Sequence, residues 1–272
     1  MNDTGAEDLT PYFSGERLYG DDFSPEQIAQ WFDDEREGYA DLGARDRASY
    51  QYGYHALNQL HGFRYLPADI RGKVLSLGGA YGDELVPIAH RFDEIVIVEP
   101  SRALQVEKVQ GVPVRYIEPR PDGTLPFPDE AFGLVTCLGV LHHVPNVTAV
   151  VRELGRVLKQ GGYALVREPV FSMGDWRGPR KDLTKRERGI PAHILRPIFA
   201  GAGLEIVHEA PCEFRPLNRL SGLIGRSVYS SPMITLADAA LSRAFAWNRR
   251  YHTVSRLQKL QPAARYFVLR KA

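Results

Sequence analysis

The sequence predicts an α/β protein in which helices cover both faces of a mostly parallel sheet. Short apolar runs alternate with segments of helical pattern from residue 73 onward, as in doubly wound sheets. A glycine-rich turn, Gly78–Gly82, directly follows the first apolar run, and Glu99 ends the second. This succession of strand, glycine turn and strand-end acid is typical of a nucleoside site.

Seven short apolar runs predict the strands of this sheet. These are Val74–Leu77, Glu94–Val98, Val112–Ile117, Leu134–Leu138, Tyr163–Arg167, Leu204–His208 and Tyr266–Leu269. Helices are expected over Asp83–Phe92, where Pro87 lies in the first turns, and over Ser101–Val109. Further helices are expected from Asn146, as the N-cap, to Leu158, over Pro191–Ala202, and over Leu236–Trp247.

The regions on either side of this pattern predict additions to the sheet. Residues 24–63 are helical in pattern, starting with a Ser24 cap and Pro25 at the first helical position. The predicted organisation is an N-terminal helical cap or lid over residues 1–70 and a core over 71–211. An insertion over 212–264 follows, before a last core strand over 265–272.

Composition excludes several classes of protein. The 272 residues carry a net charge of +1, which argues against bulk attraction to nucleic acid or membranes. No apolar run is long enough to span a bilayer, and the acidic N-terminus is unlike a signal peptide. Cys137 and Cys212 show neither a metal nor a disulfide spacing. A cytoplasmic protein is therefore expected.

Charge is unevenly distributed along the chain. Residues 1–70 hold 14 acids and 5 arginines, a net −9, whereas residues 212–264 hold 8 basic residues and 2 acids, a net +6. Opposite charges of this kind either attract within one molecule or across a homodimer, or form a basic rim for an anionic substrate. The sequence leaves both readings open.

The glycine turn excludes two kinds of phosphate ligand. A dinucleotide fingerprint starting at Gly78 requires glycine where the chain has Ala80 and Asp83, and the Asp83 charge would oppose a pyrophosphate. No Lys-Ser or Lys-Thr pair follows the glycines, so a phosphate-binding loop is also excluded. A nucleoside ligand without phosphate fits this turn better.

Four sequence blocks give the chain a family resemblance. They are Leu77–Gly82, Val98–Ser101, Leu125–Phe132 continuing into Leu138–Pro145, and Glu153–Gly162. In type and order these blocks resemble class I S-adenosylmethionine-dependent methyltransferases of the small-molecule type. The resemblance covers residues 70–211 and the last strand. It implies a Rossmann-like sheet of seven strands with an antiparallel last strand, and S-adenosylhomocysteine as the product formed from the cofactor.

The resemblance also implies the cofactor site. Glu99 is expected to bind the ribose hydroxyls, and Asp122 is a candidate for the adenine, although an ungapped match places Pro121 there. The full set of expected cofactor contacts is Gly78, Gly79, Ala80, Gly82, Glu99, Pro100, Ser101, Asp122, Gly123, Leu138 and Gly139. The chain departs from the family at Ser76, where an acid is usual, and at Ala80, where glycine is usual.

Two histidines are candidates for the base that removes a proton from the acceptor. His143 and His142 follow the fourth strand, and imidazole has a suitable pKa near neutral pH. We expect His143 rather than His142 to be the base. In the family that the chain resembles, one member of this pair often only shapes the loop. Glu168 and tyrosines of the cap are alternative bases. We see no spacing for a metal site, so a metal-independent reaction is expected.

The acceptor itself is less constrained. A small molecule such as a sugar, lipid or secondary metabolite is expected, and the basic segments favour an anionic one. Candidate contacts are Glu168, Arg177, Arg180, Lys181, Arg215 and Arg219. A nucleic-acid methyltransferase and a non-catalytic cofactor-binding protein are the alternatives; nucleic acid is disfavoured because no RNA-binding module is present.

Overall fold

The computed structural model describes residues 9–42, 47, 50–176, 178, 180, 183–224 and 227–272, without the side chains of residues 37–42 and 221–224. Its strands are β1 Lys73–Leu77, β2 Glu94–Val98, β3 Lys108–Val109, β4 Val112–Ile117, β5 Phe132–Leu138, β6 Leu158–Pro169, β7 Leu204–Phe214 and β8 Pro262–Lys271. Its helices are α1 Thr10–Ser14, α2 Pro25–Leu42, α3 His55–His61, α4 Val147–Val157, α5 Ala192–Gly201, α6 Arg215–Ile224 and α7 Pro232–Ala244.

The strands form one sheet in the order β3-β4-β2-β1-β5-β6-β8-β7. Strands β4, β2, β1, β5 and β6 are parallel, and β8 is antiparallel to both of its neighbours. The predicted fold class is therefore confirmed. The sheet has eight strands rather than seven because β3 forms a small hairpin with β4.

The core lies on both faces of this sheet. Alternate residues of β1 point to opposite sides: Leu75 packs in the cluster that contains α4 and α5, and Val74 packs in the cluster that contains α3. Strands buried on both faces give continuous apolar runs. This explains why the strands could be located from the sequence.

Two of the predicted helices are wrong. Residues 83–92 form two 3₁₀ turns, Asp83–Leu85 and Ala89–Arg91, on either side of Pro87. Proline lacks the N–H that an α-helix needs and its ring opposes the preceding turn. Residues 101–109 contain one 3₁₀ turn and then β3, because Gln110 and Gly111 both take positive φ and form a tight hairpin turn.

Other boundaries also differ from prediction. Strand β6 begins at Leu158, directly after α4, so the two glycines at 161 and 162 lie in the strand. Asn146 stands at the N-cap position but makes no capping bond; its amide donates to the Asp122 carbonyl at 2.9 Å. Strand β7 continues beyond 211 to Phe214. No helix in the described residues is long and apolar enough to cross a membrane.

Candidate active site

The glycine turn after β1 brings backbone close to a cavity. The Gly78 amide donates to the Val98 carbonyl at 2.8 Å, which joins the turn to the end of β2. A Cβ atom on Gly78 would lie 2.6 Å from Val140, and one on Gly79 would lie 2.2 Å from Ser76 Oγ. Ala80 holds a left-handed φ of 46°, at a cost of about 1 kcal/mol for a residue with a Cβ. Only very small residues fit this turn.

Glu99 ends β2 with a buried carboxylate that is 3% exposed. One of its oxygens accepts from the Ala80 amide at 3.1 Å, and the other accepts from the Ser101 amide at 3.0 Å. Burial raises the pKa of Glu99, and the two amides oppose that rise. Each carboxylate oxygen retains a second lone pair for a ligand hydroxyl.

Three cavities surround the carboxyl end of β5. The Glu99 cavity is lined by residues that include Gly78, Glu99, Pro100, Gly123, Leu125, Gly139 and His143. The Glu84 cavity is lined by residues that include Tyr50, Tyr52, Ser76, Gly78, Gly79, Ala80, Glu84, Leu138 and Arg167. The His142 cavity is lined by residues that include Tyr54, Leu138, Gly139, His142, Arg167, Glu168, Phe171, Arg215 and Arg219. Gly78, Leu138 and Gly139 each line two of these cavities, so all three meet at this point.

His142 is held by a buried carboxylate. Its Nδ1 lies 2.8 Å from Glu168 Oε2, and the Glu168 oxygens also accept from the amides of Val140, Leu141 and His142. Burial lowers the pKa of His142, with the neighbouring His143 adding to that shift and Glu168 opposing it. The imidazole is therefore neutral at neutral pH, and an Nδ1 proton donated to Glu168 leaves Nε2 as an acceptor.

His143 has a different environment. Its Nδ1 lies 2.8 Å from Glu35 Oε2 and 3.5 Å from Glu187 Oε1. Although burial opposes it, these carboxylates raise the pKa of His143, so the ring binds a proton more readily than usual. His142, His143 and Glu187 bring donor atoms within 4.8 Å of one another, as a metal site would. Both Nδ1 atoms are already paired with carboxylates, and a metal-independent reaction stays our prediction.

Arg188 and Trp31 fix the loop that carries both histidines. Arg188 is fully buried and donates to five backbone carbonyls, which belong to Tyr19, Leu141, His142, Val144 and Pro145. Its guanidinium lies 5.1 Å from the centre of the Trp31 ring, and the indole N–H donates to the His143 carbonyl at 2.7 Å. The cap and the segment before α5 thus position the loop.

Several predicted cofactor contacts lie away from the cavities. Asp122 is exposed, and its carboxylate accepts from the amide and hydroxyl of Thr124, whereas Pro121 lines the Glu99 cavity. Gly82 supports the turn with a φ of 73°, and Ser101 contributes only its amide to Glu99. The remaining predicted contacts line the Glu99 cavity, the Glu84 cavity or both.

The predicted acceptor contacts also divide into two groups. Arg215 lines the His142 cavity, as does Glu168, although the Glu168 oxygens are already occupied by protein donors. Arg180 does not serve this cavity, because its terminal nitrogens donate to carbonyls of its own loop, including Glu187 at 2.6 Å and Thr184 at 3.0 Å. Arg177 and Lys181 lie outside the described residues.

Sequence reasoning missed the contributions of Glu84, Arg167 and Glu35. Glu84 and Arg167 are 4% and 7% exposed, yet both line the Glu84 cavity. Arg167 lies 3.4 Å from Glu213, and its guanidinium stacks 3.8 Å from the centre of the Tyr54 ring. For Glu84 the available signal was Ser76, which stands where the family usually has an acid; Arg167 and Glu35 had no local signal.

The fold and site define a Rossmann-like α/β protein with the glycine turn and strand-end carboxylate of a nucleoside-binding class. Residues 50–209, more than half of the chain, match the family model described as a methyltransferase domain. The chain therefore belongs to the class I S-adenosylmethionine-dependent methyltransferases, and the predicted resemblance is confirmed.

Individual relatives cover the chain unevenly. The uncharacterized methyltransferase YcgJ of Bacillus subtilis (strain 168) is 30% identical over 99 residues, which are 35% of this chain and 39% of that protein. Phosphatidylethanolamine N-methyltransferase of Cereibacter sphaeroides is 28% identical over 149 residues, 52% of this chain and 73% of the relative. The chain thus spans less than half of the first of these proteins.

Solved structures share the fold at low sequence identity. The [4+2]-cyclase SpnF is 18% identical with a TM-score of 0.53, covering 91% of this chain and 96% of its own. A putative sarcosine dimethylglycine methyltransferase from Galdieria sulphuraria is 16% identical with a TM-score of 0.53, covering 88% of this chain and 98% of its own. These likenesses show the fold alone.

Proposed function

We propose that this chain transfers a methyl group from S-adenosylmethionine to an oxygen or nitrogen of a small molecule. The observation that carries the proposal is the meeting of three cavities at the end of β5, beside the His142–Glu168 pair. Ligands of open α/β sheets bind at the carboxyl ends of the strands. One cavity therefore receives the acceptor, and the other two receive the parts of the cofactor.

The residues present fit this cofactor. Glu99 offers one free lone pair on each oxygen, a match for the two ribose hydroxyls. Pro100, Gly123 and Leu125 provide an apolar wall for the adenine, and Gly78 admits close backbone approach. The cofactor supplies an electrophilic methyl group on a sulfonium ion. The chain must hold the acceptor in line with that group and exclude water.

His142 is the base in this proposal. The neutral imidazole accepts the proton of the acceptor O–H or N–H at Nε2, while Glu168 holds Nδ1 and favours the positive charge that develops on the ring. His143 is less suited, because its contact with Glu35 raises its pKa and favours the protonated ring, which cannot accept a proton. The sequence favoured His143 over His142 as the base, and this assignment reverses that preference.

An anionic acceptor is favoured by the arginines of the His142 cavity. Arg215 and Arg219 both line it, and in the described part of the chain no carboxylate lies within ion-pair distance of either. Burial lowers the pKa of Arg215, and the charge of Arg219 adds to this effect. Two unneutralised guanidinium groups in one cavity suit a carboxylate or phosphate. The substrate named for the Cereibacter relative is a phospholipid, which agrees with that chemistry.

Calorimetry with S-adenosylhomocysteine tests the cofactor, and transfer of a labelled methyl group to a panel of small acids, phenols and amines tests the reaction. We expect one binding site per chain and transfer to an anionic member of the panel. His142→Ala should retain S-adenosylhomocysteine binding and lose transfer. No binding at millimolar ligand refutes the proposal.

The same assay separates the alternatives. Methyl transfer to RNA, together with RNA binding that weakens steeply as salt is added, supports a nucleic-acid methyltransferase. Binding without transfer to any acceptor supports a non-catalytic protein or another reaction on this fold, as the structurally similar [4+2]-cyclase SpnF illustrates.

A further inference from the structure

Glu84 is a buried acid that forms no ion pair with any basic side chain in the described residues. It lies in the 3₁₀ turn Asp83–Leu85 and is 4% exposed. Its carboxylate accepts from the Ser76 hydroxyl and is also near its own backbone amide. Burial raises the pKa of Glu84 to about 7, and the nearby acids Asp83 and Glu99 add to the shift. A buried carboxylate without a cation is costly, and such groups concentrate at functional sites.

The position of this carboxylate connects it to the glycine turn. Glu84 lines the same cavity as Ser76, Gly78 and Gly79. A Cβ atom on Gly79 would lie 2.8 Å from Glu84 Oε1. The acid therefore lies directly against the backbone that a ligand in this cavity must approach.

The other acids near the glycine turn are already committed. Asp83 pairs with both terminal nitrogens of Arg47, at 2.6 and 2.8 Å. Glu99 accepts hydrogen bonds from two backbone amides and lines the neighbouring Glu99 cavity. Glu187 also lines the Glu84 cavity, but its carboxylate lies 3.5 Å from His143 Nδ1 and accepts from the Thr184 amide. Among the acids that line this cavity in the described part of the chain, Glu84 alone has no basic partner, so this cavity suits a ligand cation.

We propose that Glu84, together with Ser76, binds the α-ammonium of the cofactor's amino-acid end. The inference rests on the proposed function and deepens it. The chain has a serine at the end of β1 where its family usually has an acid, and Glu84 places a carboxylate against that serine from eight residues further along the chain. In this proposal the site keeps a negative charge, but Glu84 supplies it instead of a residue of β1.

Two ligands separate this contact from the rest of the site. S-Adenosylhomocysteine carries the ammonium, and 5′-methylthioadenosine keeps the adenosine and thioether but lacks the amino-acid end. We expect Glu84→Gln to weaken S-adenosylhomocysteine about ten- to hundredfold, the range of a charge-assisted hydrogen bond. Binding of 5′-methylthioadenosine should change by less than about twofold, because its contacts do not involve this charge. Calorimetry measures both.

Two further variants make the test specific. Ser76→Asp combined with Glu84→Gln returns an acid to the end of β1 and should restore most of the lost affinity. Asp83→Asn removes the adjacent acid, whose charge pairs with Arg47, and should leave the ratio of the two affinities unchanged.

Equal weakening of both ligands by Glu84→Gln overturns the inference, since it indicates a structural role alone. Unchanged S-adenosylhomocysteine binding also overturns it, while leaving the proposed function standing. If the unsubstituted protein binds neither ligand, the proposed function fails as well.

Discussion

Replacement of Glu99 by alanine should weaken S-adenosylhomocysteine binding about a hundredfold. The Glu99 oxygens each accept one backbone amide and keep one lone pair, which gives two hydrogen bonds to the ribose hydroxyls. A hydrogen bond to a charged group contributes about 1.5 kcal/mol at the low end of its range. Two such bonds amount to ~3 kcal/mol, which is about two orders of magnitude in Kd. Glu99→Gln keeps one carbonyl acceptor and should weaken binding about tenfold.

Calorimetry measures this change, and Glu94 at the start of the same strand provides the control. Glu94 pairs with Lys73 and Arg115 at the surface, far from the cavities, so Glu94→Ala should leave Kd unchanged. The Ala80 and Ser101 amides lose an acceptor in Glu99→Ala, so circular dichroism must first show that the variant is folded. A folded Glu99→Ala protein with a Kd within twofold of the original would refute the ribose assignment.

Three further predictions test the histidine loop. By NMR, the His142 ring should titrate below its ordinary value of 6.5, and Glu168→Gln should lower that pKa further; titration above 6.5 contradicts the neutral base. Folding lowers the pKa of Glu35 from 4.5 and raises the pKa of His143 from 6.5. The pair therefore stabilises the fold most between pH 4.5 and pH 6.5. This stabilisation is lost as the pH falls through the folded pKa of Glu35, or as it rises through the folded pKa of His143. The difference in Tm caused by Glu35→Gln should therefore peak near pH 5.5, midway between these two values, and the same difference at every pH argues against the pair. Arg188→Met should lower the free energy of unfolding in urea by ~3 kcal/mol or more, because five carbonyls lose a buried charged donor; a loss below ~1 kcal/mol would show that the loop does not depend on it.

The sheet could be predicted from local sequence because its central strands are buried on both faces. Each strand is a short apolar run, and the glycine turn and Glu99 mark the ends of β1 and β2. The failures at residues 83–92 and 101–109 were also local. Pro87 divides the first segment, and the turn at Gln110 creates a strand in the second. In both segments these local signals override the helical pattern.

The location of the site could be predicted from the sequence, but the roles of its two histidines could not. The environments of His142 and His143 are set by Glu168 and Glu35, which lie 26 and 108 residues away along the chain. No local pattern reports which carboxylate reaches which ring. The same limit applies to Glu84, whose importance depends on its burial against Ser76.

The uneven charge has one explanation within the molecule. Asp34 on α2 pairs with Lys185 at 3.1 Å and with Arg186 at 2.7 Å. Asp34 of the cap therefore neutralises two bases of the Asp175–Gly189 segment, which holds 6 basic residues and 3 acids, as attraction within one molecule predicts. Arg215 and Arg219 of the insertion line the His142 cavity, and a basic rim for an anionic substrate stays our proposal there.

A crystal structure of the protein with S-adenosylhomocysteine tests the central claim most directly. We predict that the ribose hydroxyls contact Glu99, that the amino-acid end lies in the Glu84 cavity, and that sulfur lies at the junction beside Leu138 and Gly139. Two results would contradict the proposed cofactor site. In one, the ligand binds elsewhere; in the other, the ribose makes no contact with Glu99 and the Glu84 cavity holds only solvent.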